Sequence, residues 1–308
     1  MTIVFKLSEN VKNLVIKHYL PYRKEKTPPY AVFQAAEADT IITLYESGKI
    51  MFQGISADID AQIWVEQERR LNNRFIDIKT GKEVKEKKGN PKQFFNCSTI
   101  GSDEVGTGDY FGPIVVTATY VSKENIKLMT ELGVRDSKKL TDDKIKAIAP
   151  TIIQKIPYST FVLDNESYNK LDEQNKNMNK IKAILHNKVL VNIIKQDYQY
   201  DKIVVDQFVY PKKYYEHIKD AKEKATNITF MTKAEDQVMS VAAASIISRY
   251  IFLGKMQELS TKVGTILPLG AGTEVDKVAK ELVTKNGMSY LNNIAKLNFK
   301  NTIKIQGE

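Results

Sequence analysis

The 308-residue chain contains one cysteine, one tryptophan and three histidines, and these scarcities exclude several kinds of chemistry. With Cys97 alone there is no internal disulfide framework, and the chain fits a reducing, cytoplasmic compartment. Cys97 lies between Asn96 and Ser98 where a strand begins, so it reads as a packing residue, not a nucleophile. His18, His186 and His217 are too scattered for a zinc-like spacing. No run approaches the ~18–20 apolar residues of a membrane span. The start, Met1-Thr2-Ile3-Val4-Phe5-Lys6, lacks the regions of a signal peptide. Any metal here would have oxygen ligands, which points to Mg2+ or Mn2+.

What is present is an ordinary globular composition, 42% hydrophobic and 27% charged, long enough for two domains. The net charge of +9 favours a polyanionic partner. Its distribution is more informative. Residues 1–71 hold nine basic and nine acidic side chains, whereas 72–96 hold seven against three. The excess therefore lies in the middle and C-terminal parts.

The pattern of elements divides the chain into 1–71, a basic linker over 72–96, and 97–308. A strand over 2–7 precedes a helix with Ser8 at its N-cap and Val11, Leu14, Val15 and His18 on one stripe. Strands follow at Tyr30–Ala36, Thr40–Tyr45 and Lys49–Gln53, then a helix from Ser56 to Leu71 with Ile59, Ile63 and Trp64 packed inward. A sheet face bearing some of Tyr30, Phe33, Tyr45 and Phe52 would suit a nucleic acid; strand alternation sends the others to the core. From 97 onward strands and helices alternate, as in an α/β domain with helices on a mixed sheet. Strands are expected at Ser98–Asp103, Ile114–Val121, Thr160–Leu163, Ile203–Asp206 and Thr229–Met231, with a long helix from Asp236 to Leu259.

The richest stretch is Ser102-Asp103-Glu104-Val105-Gly106-Thr107-Gly108-Asp109-Tyr110-Phe111-Gly112-Pro113. Adjacent side chains on a strand face opposite ways, so both acids reach one site only where the strand ends and the glycines turn the backbone. Solvated acids on a hairpin are the plain alternative. Asp206 ends the apolar run Ile203-Val204-Val205, where a charge is costly unless paired or metal-bound; a turn or cap role is the alternative. Glu235 and Asp236 open a helix, where the dipole favours acids in any case. The small residues Ala242–Ser245 would let that helix lie close to the sheet. Carboxylates gathered without a histidine partner suit a two-metal phosphodiester hydrolase.

These motifs, with Asp136-Ser137-Lys138-Lys139-Leu140 and Lys233-Ala234-Glu235 followed by Ala243-Ala244-Ser245, resemble the type-2 ribonuclease H superfamily and, within it, the ribonuclease HIII family, over the whole chain. The resemblance implies a ribonuclease H-like mixed sheet flanked by helices, preceded by a small α+β TBP-like domain that binds substrate. It implies a Mg2+- or Mn2+-dependent endonuclease that cuts the RNA strand of RNA/DNA hybrids and leaves 3′-hydroxyl and 5′-phosphate ends. Asp103, Glu104, Asp206 and Glu235 would be the metal-binding and catalytic acids. Gly106, Thr107 and Gly108 would face RNA 2′-hydroxyls, and Ser137, Lys138, Lys139 and Lys233 would hold phosphates. Two positions depart from the pattern. Thr107 stands where junction-cutting relatives carry arginine, which weakens a reading as a junction-specific enzyme. Glu235 stands where many relatives carry aspartate, and the next residue, Asp236, is the alternative fourth acid. The four acids argue against a non-catalytic binder of polyanions. A monomer with no obligate protein partner and no membrane association is expected.

Overall fold

Alternation between apolar and polar positions organises the first sheet. In β1 (Thr2–Lys6) the inward residues are Ile3 and Phe5, and in β4 (Lys49–Gly54) they are Ile50 and Phe52. With β2 (Ala31–Glu37) and β3 (Thr40–Tyr45) these form an antiparallel sheet in the order β1-β4-β3-β2. The computed structural model describes residues 1–37, 40–54, 57–78, 80–83, 95–134, 139–172 and 175–306, the side chains at 59, 66 and 70 apart. Ser56 and the side chain of Ile59, assigned above to the second helix, therefore lie outside the described residues.

Two helices, α1 (Glu9–Tyr19) and α2 (Ala57–Asn72), cover one face of this sheet. Val11, Val15 and Tyr19 from α1 and Ala57, Ala61 and Trp64 from α2 pack with Phe33, Ile42, Leu44 and Phe52. The indole N–H of Trp64 donates to the Tyr19 hydroxyl at 3.2 Å. Of the aromatics considered for a binding face, Phe33 and Phe52 are core, while Tyr30 is 79% exposed. Leu14 is also exposed, so the buried stripe of α1 is narrower than its spacing suggested. Ser8 occupies the N-cap position of α1 without a side-chain cap. Its hydroxyl donates instead to Glu68 at 2.7 Å, where Arg74 also binds at 3.1 Å.

The chain forms two compact units, and the first consists of Met1–Gln93 together with Lys127–Pro150. This later stretch holds most of α3 (Ile126–Glu131) and the first part of α4 (Asp142–Lys155). The expected division placed 97–308 in one piece. The difference has a physical cause in Lys144, which is 2% exposed. Its ammonium lies 2.6 Å from Glu37 Oε2 and 2.9 Å from Asp60 Oδ1. Burial pushes the Asp60 carboxyl up, and Lys144 is the main influence opposing that rise.

The second unit, Phe94–Ile126 and Thr151–Glu308, is built on a mixed sheet in the order β7-β6-β5-β8-β9. Its strands are β5 (Thr99–Val105), β6 (Ile114–Val121), β7 (Tyr158–Leu163), β8 (Lys202–Asp206) and β9 (Ile228–Met231). β5 runs antiparallel to β6 and parallel to β8. After β7 come a short α5 (Asn165–Asn169) and α6 (Met178–Ile194); α7 (Pro211–His217) follows β8. On one face α6 packs Leu185, Val189 and Ile193 against Ile100, Val116, Ile203 and Val205. On the other lies α8 (Met239–Val263), whose Ala242, Ala243 and Ala244 are fully buried. Its approach is close enough that a Cβ at Gly101 would come within 2.5 Å of Ser240 Oγ and 2.6 Å of the Val241 amide nitrogen. Helices α9 (Thr273–Asn286) and α10 (Lys300–Gln306) complete a separate apolar cluster around Tyr110 and Phe111. Among the described residues no helix is long and apolar enough to cross a membrane.

Candidate active site

β5 does not end at its first acid. It continues through Val105, with Glu104 opposite Val116 and Val105 opposite Val115 on β6. Pairing with β8 stops earlier, at Ser102 opposite Val205. The two acids therefore overhang the parallel part of the sheet while still belonging to a strand, and they leave it on opposite faces. Asp103 turns toward α8, where Ser245 hydrogen-bonds its side chain and Ser248 donates to its carbonyl at 3.2 Å. Glu104 turns toward α6. One carboxylate oxygen, Oε2, accepts from His186 Nε2 at 2.8 Å, and the other ion-pairs with Lys182.

The electrostatics follow this division. Burial, then the neighbouring charges of Glu104 and Asp206, push the Asp103 carboxyl up to about 8, against the hydrogen bonds it accepts from Ser245 and the Glu104 amide. Burial works the same way on Glu104, but the hydrogen bond and charge of His186, joined by Lys182, overcome it and hold that carboxyl at about 2.

Asp206 ends β8 opposite Met231 on β9. Its Oδ1 accepts from the Ala234 amide at 2.9 Å, which ties the third acid to the turn that carries the fourth. That turn is a short 3-10 helix over Ala234–Asp236, entered through Lys233 in the left-handed conformation with φ 55°. Here the expected long helix is corrected. It begins at Met239, and Glu235 and Asp236 lie in the preceding turn, because the chain returns to extended geometry at Val238. Glu235 is 3% exposed, whereas Asp236 is half-buried. Asp103, Glu104, Asp206 and the turn holding Glu235 thus share one end of the sheet, where open α/β sheets place ligands.

The glycine loop leaves β5 at Gly106, with φ 90° and its Cα facing the Pro113 carbonyl so closely that a Cβ would sit 2.1 Å from that oxygen. Thr107 is half-exposed and Gly108 exposed, with open space where its Cβ would be. The far end of the loop is clamped. Asp109 Oδ1 accepts from the Gly270 amide at 2.6 Å, and the Gly112 amide donates to Ile294 at 3.0 Å. Buried Lys296 donates from Nζ to the carbonyls of Asp109 at 2.7 Å and Gly112 at 2.6 Å. Lys233 is exposed. Lys139 is exposed and belongs to the first compact unit, and Ser137 and Lys138 lie outside the described residues.

Residues 100–302 match the ribonuclease HII family profile, and residues 2–74 match a domain of unknown function. Ribonuclease HIII of Bacillus cereus (strain AH187) is 39% identical over 309 residues, covering 98% of this chain and 97% of that protein. The chain belongs to the ribonuclease HIII family. Ribonuclease HIII of Bacillus subtilis (strain 168) is 43% identical and covers 91% of this chain and 88% of its own. The crystal structure of Bst-RNase HIII in complex with Mn2+ superposes with a TM-score of 0.68 at 36% identity, over 100% of this chain and 98% of that one. Aquifex aeolicus RNase H3, at 23% identity and a TM-score of 0.53 over 96% of this chain and 99% of its own, shares the fold. Family membership makes this a nuclease of the ribonuclease H type.

Three side chains at this ribonuclease H-type site escaped the motif reading: Lys182, His186 and Lys296. Lys182 and His186 are four apart on α6, the spacing that puts two side chains on one helix face. That spacing was available in the sequence, but nothing in it shows that this face meets β5.

Proposed function

We propose that the protein is an endoribonuclease that hydrolyses the RNA strand of RNA/DNA hybrids by two-metal-ion catalysis, leaving 3′-hydroxyl and 5′-phosphate ends. The observation that carries the reading is the convergence of Asp103, Glu104, Asp206 and the Glu235 turn at one sheet end. The donors there are hard carboxylate oxygens, as Mg2+ or Mn2+ requires. Burial, and after it the charges of Glu104 and Asp206, raise the Asp103 carboxyl, and a divalent ion there would offset that repulsion. Among the described residues no three such side chains are already drawn up as a coordination shell. Mg2+ keeps several waters, so a few carboxylates suffice. Bound there, the two ions would activate the attacking water and stabilise the leaving oxygen.

The remaining roles belong to the chain itself. Asp103, Glu104, Asp206 and Glu235 hold the ions, Glu235 being preferred over Asp236 because it is the more buried of the two. The open space at Gly108 admits a sugar edge beside the acids, which suits discrimination by the 2′-hydroxyl. Thr107 does not supply the bidentate donor that arginine would. Lys233, with Ser137, Lys138 and Lys139, holds phosphates and sets register without reading sequence. In the N-terminal domain, proposed over residues 1–71, the sheet face away from α1 and α2 carries the cross-strand row Val4, Met51, Thr43 and Gln34. In this row Val4 is exposed, Met51 and Gln34 are half-buried, and Thr43 is buried, accepting from the Gln34 side-chain amide at 2.9 Å. Val4 and Met51 offer packing to a duplex, in keeping with that region's balanced charge.

The test is cleavage of an end-labelled RNA/DNA hybrid, beside a DNA duplex with a single ribonucleotide, in Mg2+, Mn2+ or EDTA. Metal-dependent cuts within the hybrid, with the second duplex largely spared, are expected. Asp103→Asn should abolish cleavage and keep hybrid binding. Binding without cleavage by the unaltered protein in either metal would overturn the assignment.

A further inference from the structure

His186 is fully buried and spans two residues of one strand. Its Nδ1 lies 2.7 Å from Ser102 Oγ and its Nε2 lies 2.8 Å from Glu104 Oε2. Ser102 and Glu104 are on the same face of β5, two residues apart, so a single imidazole reaches both. With Glu104 ionised, Nε2 must carry the hydrogen, and the Ser102 hydroxyl settles the ring through the other nitrogen. The ring plane is fixed from the side by Phe208, stacked at 5.4 Å between centroids. The same Phe208 ring lies 4.1 Å from Lys182 Nζ. The two donors to Glu104 thus share one wall, two residues beyond Asp206.

They differ in kind. His186 offers a directed hydrogen bond that leaves a lone pair free on Oε2. Lys182 is a half-buried positive charge paired with the other carboxylate oxygen, Oε1.

We infer that His186, held by Ser102, is the residue that positions Glu104 for metal binding, and that Lys182 is a built-in counter-ion against which the metal competes. The inference rests on the metal-site reading above. Groups that orient a ligand alter metal affinity by about 10–100-fold when removed. Removing a competing cation acts in the opposite direction, because like charges at this range repel by an amount that changes affinity by up to about tenfold. The Phe208 ring gives the displaced ammonium a place to remain.

The experiment uses the full chain, stripped with EDTA, and follows Mn2+ binding by electron paramagnetic resonance and calorimetry, with stability measured in parallel. His186→Ala should weaken Mn2+ binding by about 10–100-fold, and His186→Gln, which can still donate to Glu104, should recover most of it. Lys182→Gln should tighten Mn2+ binding. Unchanged affinity in His186→Ala would overturn the inference, whatever the loss of stability. If that variant does not fold, equal or weaker binding by Lys182→Gln would do so. Asp103→Asn separates the two layers. If it binds Mn2+ as the unaltered protein does, the metal-site reading itself fails. If it loses Mn2+ while His186→Ala does not, only the role of His186 fails.

Discussion

Replacing Lys144 with methionine removes one charge and leaves a side chain of similar length and apolar body. What remains is two carboxylates, Glu37 at 7% exposure and Asp60 at 0%, with the cation they shared gone. Deleting one partner of a buried ion pair costs about 3–5 kcal/mol, because the surviving charge must be desolvated unpaired or take up a proton. Against a total stability of about 5–15 kcal/mol for a typical domain, that is a large share. The single tryptophan, Trp64, lies in this core and bonds Tyr19, and Tyr19 feels the charge of Asp60 and Glu37. Its emission therefore reports unfolding of the first unit in urea. With a denaturant slope of about 2 kcal/mol per molar, the midpoint should fall by about 2 M. The pH dependence has a definite sign. Burial already raises Asp60, and losing Lys144 raises it further. A carboxyl with a raised native pKa contributes stability that is complete at low pH and lost as pH rises. The gap between variant and parent should thus be widest near pH ~8 and narrower near pH ~5. His18, Tyr19 and Tyr22 also face the cluster, and comparison with the parent at each pH removes their titration. A midpoint within about 0.3 M of the parent near pH ~8, or a gap that does not narrow in acid, would refute the reasoning. Adding Glu37→Gln and Asp60→Asn to Lys144→Met should restore most of the loss.

Two further outcomes are expected. Gly101→Ala should cost about 1–3 kcal/mol, since its Cβ meets the Val241 backbone nitrogen at 2.6 Å. It should also slow cleavage by lifting Ser245 and Ser248 away from Asp103; an unchanged melting temperature would contradict it. For Lys296, burial lowers the ammonium to about 7, so the contribution of its neutral amine is complete above about pH 10 and lost as pH falls to about 7. The stability of the parent relative to Lys296→Met should rise by up to about tenfold in equilibrium constant per pH unit across that window. Urea midpoints at several pH values check this, and a flat difference would refute it.

Much of this architecture was legible in the residues, but the exceptions share a cause. β6 was readable to the residue, because its run of β-branched and apolar residues is bounded by Pro113 and Ser122. β5 runs two residues past its expected end because hydrogen bonding to β6 carries it through Glu104 and Val105, a partner that composition at 104 does not reveal. The long helix begins at Met239, three residues later than its pattern suggested, because Lys233 takes a left-handed conformation and the turn is tied to Asp206. Asp103 and Asp206 stood out because they end apolar runs, Glu104 because it adjoins Asp103, and Glu235 only through the family resemblance. His186 did not, since a histidine inside an apolar helix looks the same whether it fills space or holds a carboxylate. Lys144 was invisible for a simpler reason: its partner Glu37 is 107 residues away.

That separation bears on the order in which the protein can be made. A nascent chain that has emerged only through residue 93 carries the sheet of the first unit with α1 and α2, but not the cation its interior requires. Glu37 and Asp60 must wait, hydrated or protonated, until β5 and β6 have been synthesised and Lys144 arrives. The ribosome therefore finishes the first unit only after it has begun the second, and a stall between the two would leave a sheet whose core still admits water.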